Sequence, residues 1–161
     1  MRLILACTCA VCCAGLGVFS ALRLDRRAAV TRVWANALRR MESAAAHLSL
    51  PLEDLLRYGA GDEVPALSRM ADALSARPQM GAGALIPDRP PEMAPSEWRE
   101  IDRCLSALDG ENRLLQLEAL RQARLFLAPL CRKAAADASR LKKARLAVGF
   151  LSGAALFILL C

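Results

Sequence analysis

The residues best suited to chemistry in this 161-residue chain are its single histidine and its seven cysteines. A lone His47 cannot supply a second imidazole, which excludes a histidine-based metal cluster or a histidine relay. Cys9 and Cys12 have the spacing of a metal or redox motif, but they lie in an apolar run without histidine or acidic ligands nearby. We interpret the cysteines of this run as small packing residues, and His47 as a partner of a helix C-terminus.

The remaining candidate motifs also lack the residues that their chemistry requires. Gly81-x-Gly83 lies among prolines with no lysine after it, unlike a phosphate-binding loop. Two acidic pairs, Glu53 with Asp54 and Glu97 with Glu100, stand where helices begin, and acids are favoured there by the helix dipole. We therefore expect no catalytic residue, no bound cofactor and no metal site.

Charged residues are absent from both ends of the chain. Residues 3–22 and 146–161 carry no charge, although the whole chain has a net charge of +6. Alanine and leucine dominate the composition, and both are strong helix formers. We predict an all-α protein in which an antiparallel helical bundle is flanked by an N-terminal and a C-terminal transmembrane helix.

The first apolar run is long enough to cross a bilayer as a helix, since about 20 residues suffice. A cleaved signal peptide is the rival interpretation. Against it, only Arg2 precedes the run, the run is long for a signal sequence, and the strongest positive charge follows it. We predict a retained anchor at residues 1–22, with Gly15 and Gly17 as packing positions for another helix.

The second run is shorter, because 16 residues span only about 24 Å as a helix. It crosses a bilayer only if Arg145 reaches the interface or the bilayer thins locally. A buried C-terminal helix of a soluble protein is the alternative. The Gly149-x-x-x-Gly153 spacing permits close helix contact in lipid, and the run has no polar face. We predict a transmembrane helix at 146–161.

Basic residues flank the two apolar runs on their inner sides. The positive-inside rule then places residues 23–145 in the cytoplasm and both termini outside it, in a two-pass arrangement at the cell membrane. Lipid headgroups explain these clusters better than nucleic acid does. The predicted membrane-interface collar consists of Arg23, Arg26, Arg27, Lys142, Lys143 and Arg145.

Between the anchors, helical spacing predicts five helices. The first runs from about Ala28 to His47, the second has Ser49 as its N-cap, and the third opens at Asp62. Further helices start at Ser96 and at about Glu111, and Pro129 should kink or interrupt the last one. Residues 78–95 contain five prolines, which indicates a surface loop or a mobile linker.

The segment from Trp98 to Cys161 resembles the stage III sporulation protein AB family of endospore-forming bacteria. Leu108, Asn112 and Gln116 fall on the family's turn motif, and residues 149–153 fall on its membrane motif. Earlier positions that also fit are Glu42, Pro51 and Leu52. The chain departs from the family pattern at Asp109, where glycine is expected, and at Asn112, where aspartate is usual.

The resemblance implies a non-enzymatic platform in the mother-cell membrane facing the forespore, within a channel or secretion-like complex needed for spore development. The cytoplasmic domain of this family is similar to the inner-membrane F protein of type II secretion systems. Implied partners are membrane lipid, other stage III sporulation membrane subunits and a secretion-type ATPase of the stage III sporulation AA type; a homo-oligomer is a further option. The alternative is a generic membrane tether or adaptor whose basic helical domain binds lipid or another regulator.

Overall fold

The computed structural model describes the chain except Met1, Ser49, Pro78, Glu111 and Cys161, and it leaves out the side chains of residues 2–7, 9, 10, 13, 14, 146, 153, 156, 157, 159 and 160. The described residues form five α-helices and one short 3₁₀-helix, and no strand occurs among them. The predicted all-helical class is therefore confirmed. The elements are α1 (Arg2–His47), α2 (Leu52–Ala60), α3 (Pro65–Ala76), the 3₁₀-helix (Ala82–Leu85), α4 (Pro95–Ala107) and α5 (Arg113–Leu160).

The first and last helices are far longer than the others. Helix α1 has 46 residues and continues without a break from the first apolar run into the amphipathic segment after it. Helix α5 has 48 residues and contains Pro129 in its interior. A kink or an interruption was predicted at Pro129, and the interruption is absent, because α5 continues through this residue. Leu127 is fully buried and Leu130 is partly buried on either side of the missing N–H, and the kink stays a prediction.

The chain divides into two compact units. We call Val30–Cys131 the helical unit, and we call Met1–Ala29 together with Arg132–Cys161 the stem. Helices α1 and α5 each contribute residues to both units. The predicted division of the chain at residues 22 and 145 stays a prediction.

The helical unit is built around a core to which every helix contributes. Trp34 of α1 meets Trp98 of α4 edge to face, with ring centroids 5.1 Å apart. Ile101 and Leu105 of α4, and Leu108 directly after it, are fully buried. The other large core side chains that are fully buried are Leu38, Met41, Leu56, Leu67, Met93, Leu120 and Leu127.

Two helices begin at positions other than those predicted. Helix α4 starts at Pro95 with Ala94 as its N-cap, so Ser96 does not cap it. Proline has a fixed φ that suits the first helical position, and Glu97 Oε2 accepts a hydrogen bond from the Ala94 N–H at 3.1 Å. Helix α3 likewise starts at Pro65 and not at Asp62. The cap predicted at Ser49 falls outside the described residues, and Pro51 is the N-cap of α2.

The proline-rich connection between α3 and α4 is packed against the core. It contains the 3₁₀-helix, and both Ala82 and Met93 are completely buried. Three prolines, at 87, 90 and 91, separate these two buried residues and prevent the connection from continuing as a helix. The segment therefore folds as part of the helical unit.

Among the residues that the structure describes, no helix is both long enough and apolar enough to cross a membrane. The transmembrane helices predicted at 1–22 and 146–161 are not supported by this finding. Many side chains of both segments lie outside the described ones.

Substitution of a fully buried leucine tests the core. Leu105→Ala should lower the free energy of unfolding by about 2–5 kcal/mol, because it removes buried apolar surface and leaves a cavity. Its exposed neighbour supplies the control, since Ser106→Ala should change stability by less than about 0.5 kcal/mol. Denaturant titration of the full chain in mild detergent measures both variants; equal stabilities would contradict the core described above.

Candidate functional site

The positions shared with the turn motif meet in the connection between α4 and α5. Gln116 Nε2 donates hydrogen bonds to the carbonyl oxygens of Leu108, at 2.9 Å, and Gly110, at 2.6 Å. Asn112 Oδ1 accepts a hydrogen bond from the Leu114 N–H at 3.0 Å, as an N-cap does. The side chain of Leu108 is buried in the core. These three motif residues therefore close the end of α4 and open α5.

The same turn also holds the end of α1 through Arg113. Its guanidinium donates from Nε and Nη2 to the Ala45 carbonyl, at 3.1 and 2.7 Å, and from Nη2 to the Leu48 carbonyl at 2.9 Å. The last carbonyls of a helix have no partner within the helix, so Arg113 caps α1 from a segment far along the chain. We predicted His47 as a partner of a helix C-terminus, and its side chain is exposed at the end of α1.

Asp109 joins the turn to the 3₁₀-helix. Its carboxylate accepts hydrogen bonds from the Ala82 N–H and, at 2.8 Å, from the Gly83 N–H. A Cβ on Gly81 would lie 2.6 Å from Asp109 Oδ2, so the carboxylate approaches this backbone closely where the chain has no side chain. The N–H groups of the Gly81-x-Gly83 segment are therefore bonded by a carboxylate of the same chain.

Two further polar contacts in the helical unit tie α1 to other helices. Arg40 donates to the Gly59 carbonyl at 2.8 and 3.1 Å and to the Ala60 carbonyl at 3.1 Å, and it pairs with Glu63 at 2.9 Å. It thereby caps the C-terminus of α2. Glu42, one of the predicted family positions, forms an ion pair with Arg124 of α5.

The other two family positions lie at the start of α2. Pro51 is the N-cap, and its carbonyl accepts the Leu55 N–H at 3.0 Å. Leu52 is the first residue of α2 and packs, partly buried, against the core. Both residues therefore serve to begin a helix.

In the stem, Gly17 lies directly against α5. A Cβ on Gly17 would be 3.1 Å from the Arg145 carbonyl oxygen and 3.1 Å from the Gly149 Cα. Two of the predicted packing glycines thus face each other across a close helix contact. Gly15 has no such neighbour within 4 Å, and Gly153 falls outside the described side chains.

Two residues of the predicted basic collar bind α1 within the stem. Lys142 Nζ pairs with Asp25 Oδ2 at 2.6 Å, and Arg145 Nη1 donates to the Ser20 carbonyl at 3.2 Å and to Ser20 Oγ. The Arg23 guanidinium lies 5.3 Å from the ring centroid of Phe19, a cation–π distance. All six collar residues have exposed side chains: Arg23, Arg26, Arg27, Lys142, Lys143 and Arg145.

The net positive charge of the chain lies in the stem. Residues 1–29 and 132–161 contain 10 Lys or Arg and 2 Asp or Glu, a net charge of +8. Residues 30–131 contain 12 Lys or Arg and 14 Asp or Glu, a net charge of −2. The predicted domain 23–145 is basic as a whole, and its excess of positive charge lies in the parts that belong to the stem. The helical unit itself is weakly acidic.

The two cysteines of the helical unit are poor nucleophiles. Burial raises the pKa of the Cys104 thiol to about 12, with a smaller contribution from Glu100. Burial also raises the pKa of Cys131, whose thiol donates to the Thr31 carbonyl at 3.3 Å. The reactive species is the thiolate, which neither residue provides at neutral pH. Within the described part of the chain, no three His, Cys, Asp or Glu side chains group together as a metal site.

One comparison with known proteins gives a match. The model of the family described as stage III sporulation protein AB matches residues 2–161 of the chain. No curated protein and no solved structure gives a match.

Removal of the Arg113 guanidinium tests its capping role. Arg113→Met should cost about 1.5–3 kcal/mol of unfolding free energy, because the Ala45 and Leu48 carbonyls lose a charged donor. Arg113→Lys should recover only part of the loss, since an ammonium group cannot reproduce the fork geometry. The control is Arg99→Met on α4, where the side chain is exposed and a change within about 0.5 kcal/mol is expected. Denaturant titration decides, and equal losses at both sites would contradict the assignment.

A pair of neighbouring glycines tests the helix contact of the stem. Gly17→Leu should destabilise the chain by about 1–3 kcal/mol relative to Gly15→Leu, because only the first places a side chain against the α5 backbone. Both substitutions remove a glycine from the same helix, so the change in helix propensity cancels. Thermal unfolding in mild detergent, followed by circular dichroism, measures the difference. Equal melting temperatures would contradict the contact.

Proposed function

Because the chain belongs to the stage III sporulation protein AB family across residues 2–161, we propose that it is a non-enzymatic platform component of a membrane complex that acts in stage III of sporulation. Family membership supports the sporulation role itself. The platform role, the membrane attachment and the partners are the proposal. We further propose that the complex is a channel or secretion-like complex. The cytoplasmic domain of the chain would then be similar to that of the type II secretion F protein.

The platform role is supported by the bonds that the motif side chains make within the chain. Gln116 and Asn112 hydrogen-bond backbone groups of the α4–α5 connection, and Glu42 pairs with Arg124. The neighbouring Asp109 and Arg113 also bind backbone groups. Catalytic side chains are held ready to contact a substrate, whereas these side chains are engaged in joining helices. Such bonding supports a rigid structural part.

The proposed membrane attachment rests on the surface of the stem and on the sequence of its ends. Large apolar side chains such as Leu16, Phe19 and Leu151 are more than half exposed to solvent in the stem. Exposed basic residues follow them toward the helical unit. Apolar surface bordered by Lys and Arg is typical of segments that enter an anionic membrane, with the basic groups at the cytoplasmic headgroups. We propose a two-pass arrangement with both termini outside the cytoplasm, in the mother-cell membrane facing the forespore.

The proposed partners follow from the family resemblance and from the charge division. The stem, with a net charge of +8, suits anionic lipid and the other membrane subunits of the stage III complex. The helical unit, with a net charge of −2, is the part left to contact a secretion-type ATPase of the stage III sporulation AA type in the cytoplasm. Nucleic acid is a poor partner for this unit, because DNA and RNA binding depends on a positive surface.

Deletion of the gene tests the proposal in the organism that carries it. We expect vegetative growth to be unchanged and heat-resistant spores to be lost, because a stage III component is needed only during development. Counts of heat-resistant colonies and growth rates measure the two effects. A growth defect in vegetative cells, or normal spore yield, would contradict the proposal.

Complementation separates the platform from a generic tether. The wild-type gene should restore spores, and so should Ser106→Ala, whereas Gly17→Leu should restore fewer because it disturbs the stem contact. The helical unit alone, fused to an unrelated membrane anchor, should fail if the stem makes specific contacts with other subunits. Full rescue by that fusion would favour the tether.

A further inference from the structure

A groove of about 460 Å³ opens in the helical unit between the start of α2, the end of α3 and the α4–α5 connection. This volume is within the range of about 300–1,000 Å³ that is usual for ligand pockets. Leu52, Leu74 and Met80 give the groove an apolar wall, and Met80 is 36% exposed. The remaining lining residues are Pro51, Glu53, Gln79, Gly81 and Asp109. The groove therefore has room for an apolar group beside a polar one.

Both charged residues of the lining are acids, and they come from different elements. Glu53 lies in the first turn of α2, and its Oε2 accepts a hydrogen bond from Ser75 Oγ at 2.9 Å. Asp109 lies in the α4–α5 connection and accepts hydrogen bonds from the N–H groups of Ala82 and Gly83. An ionised carboxylate has about four acceptor sites. The side chains of Glu53 and Asp109, which we call the groove carboxylates, are therefore held in place and keep acceptor sites for a bound donor.

Two bases stand close to the groove, and both have other partners. Arg57 follows Glu53 by one turn of α2, and it pairs with Asp72 at 2.9 Å. At the rim of the groove, Arg77 Nη1 donates to the Met80 sulfur at 3.9 Å. Neither guanidinium forms an ion pair with a groove carboxylate among the described residues. The lining contains two acids and no base, a net charge of −2, and such a surface attracts cations.

Two other grooves of the helical unit carry charges of both signs. Arg69 and Asp88 line a groove of about 370 Å³ beside α3. Glu100 and Arg103 line a groove of about 520 Å³ between α4 and α5, and these two residues pair with each other at 3.4 Å. Opposite charges within one groove compensate each other, so they select a cationic partner less strongly. Of these three grooves, the one with the groove carboxylates has charge of a single sign.

The groove lies at one end of the helical unit. Helices α1 and α5 continue into the stem at the opposite end, where the Cys131 thiol donates to the Thr31 carbonyl. Pro51 comes four positions after the last residue of α1, and Asp109 comes four positions before the first residue of α5. About 24 Å of α1 separates the two ends, at about 1.5 Å per residue. In the proposed two-pass arrangement, a partner protein reaches the groove from the cytoplasm.

We propose that this groove binds a segment of a partner protein that presents an arginine or lysine beside an apolar side chain. The cation pairs with the groove carboxylates, and the apolar side chain covers Leu52, Leu74 and Met80. Because the carboxylates are already held by hydrogen bonds, little of their freedom is lost on binding. A bare cation would leave the apolar wall in water, which favours a protein segment as the occupant. This inference does not rest on the proposed sporulation role.

A peptide probe tests the groove directly. The probe is acetyl-Leu-Arg-Leu-amide, and in its matched control citrulline replaces arginine, which keeps the shape and removes the charge. The full chain in mild detergent carries methionine labelled with ¹³C in its methyl group, and Met80→Leu identifies the Met80 signal. We expect the arginine peptide to shift this signal with a dissociation constant of about 1 mM, and the citrulline peptide to bind at least about tenfold more weakly. The signal of Met93, which is buried outside the groove, should not move.

Substitution of the groove carboxylates shows whether the probe binds there. Glu53→Gln and Asp109→Asn should each raise the dissociation constant of the arginine peptide about threefold, and the double variant should raise it about tenfold. Each amide keeps an acceptor oxygen, so the bonds from Ser75 and from the 3₁₀-helix can still form. The control is Asp62→Asn, which removes the same charge at an exposed position outside the groove and should leave the dissociation constant unchanged.

The outcomes separate the proposal from its alternatives. A preference for the arginine peptide that the double variant loses and Asp62→Asn keeps supports the proposal. A Met80 signal that does not shift up to about 10 mM of the arginine peptide overturns it, as does equal binding of the citrulline peptide. Unchanged binding by the double variant, with its melting temperature intact, also overturns it. A Met80 shift on raising the concentration of the chain alone would assign the groove to a second copy and overturn the proposal as well.

Discussion

The end of a helix leaves backbone groups without hydrogen-bond partners, and in a bundle of short helices many such ends come close to the core. This chain meets that constraint with side chains supplied from distant segments. Arg113 donates hydrogen bonds to carbonyls at the end of α1, and Arg40 donates to those at the end of α2. Asp109 accepts hydrogen bonds from N–H groups of the 3₁₀-helix. Hydrogen bonds to charged groups are about twice as strong as neutral ones. Each of these three contacts also joins the ends of two elements. These contacts fix the helix ends of the helical unit around its apolar core.

This use of polar residues gives the predicted motif positions a structural role in this chain. Leu108 anchors the turn in the core, Asn112 starts α5, and Gln116 bonds the carbonyls that end α4. Asp109 departs from the expected glycine, and here it gains a specific partner in the 3₁₀-helix. The departure therefore adds a connection to the turn. In the stem, by contrast, α1 and α5 approach each other closely because Gly17 and Gly149 have no side chains.

The sequence predicted the features that depend on neighbours along the chain. Helical spacing predicted five helices, and proline content located the connection between α3 and α4. The sequence did not predict contacts between residues far apart in the chain. Arg113 bonds a carbonyl 68 positions away, and Asp109 bonds an N–H 26 positions away. One signal was available: a cation in the first turn of α5 opposes the helix dipole, which indicates that Arg113 has a partner elsewhere. The sequence also did not reveal that the stem and the helical unit differ in net charge, because composition alone does not show where the compact units begin and end.

In the proposed function, a basic stem whose two ends cross the bilayer holds an acidic helical unit at the membrane. Labelling by a membrane-impermeant maleimide tests this arrangement in intact protoplasts of vegetative cells that express the chain, because their cell membrane faces the medium. Two single-cysteine chains are compared, one keeping Cys161 and one carrying Arg99→Cys on exposed α4, with the other native cysteines replaced by serine. The account predicts that Cys161 is labelled in intact protoplasts and that the cysteine at position 99 is labelled only after permeabilisation. Labelling of position 99 in intact protoplasts, or of Cys161 only after permeabilisation, would contradict it.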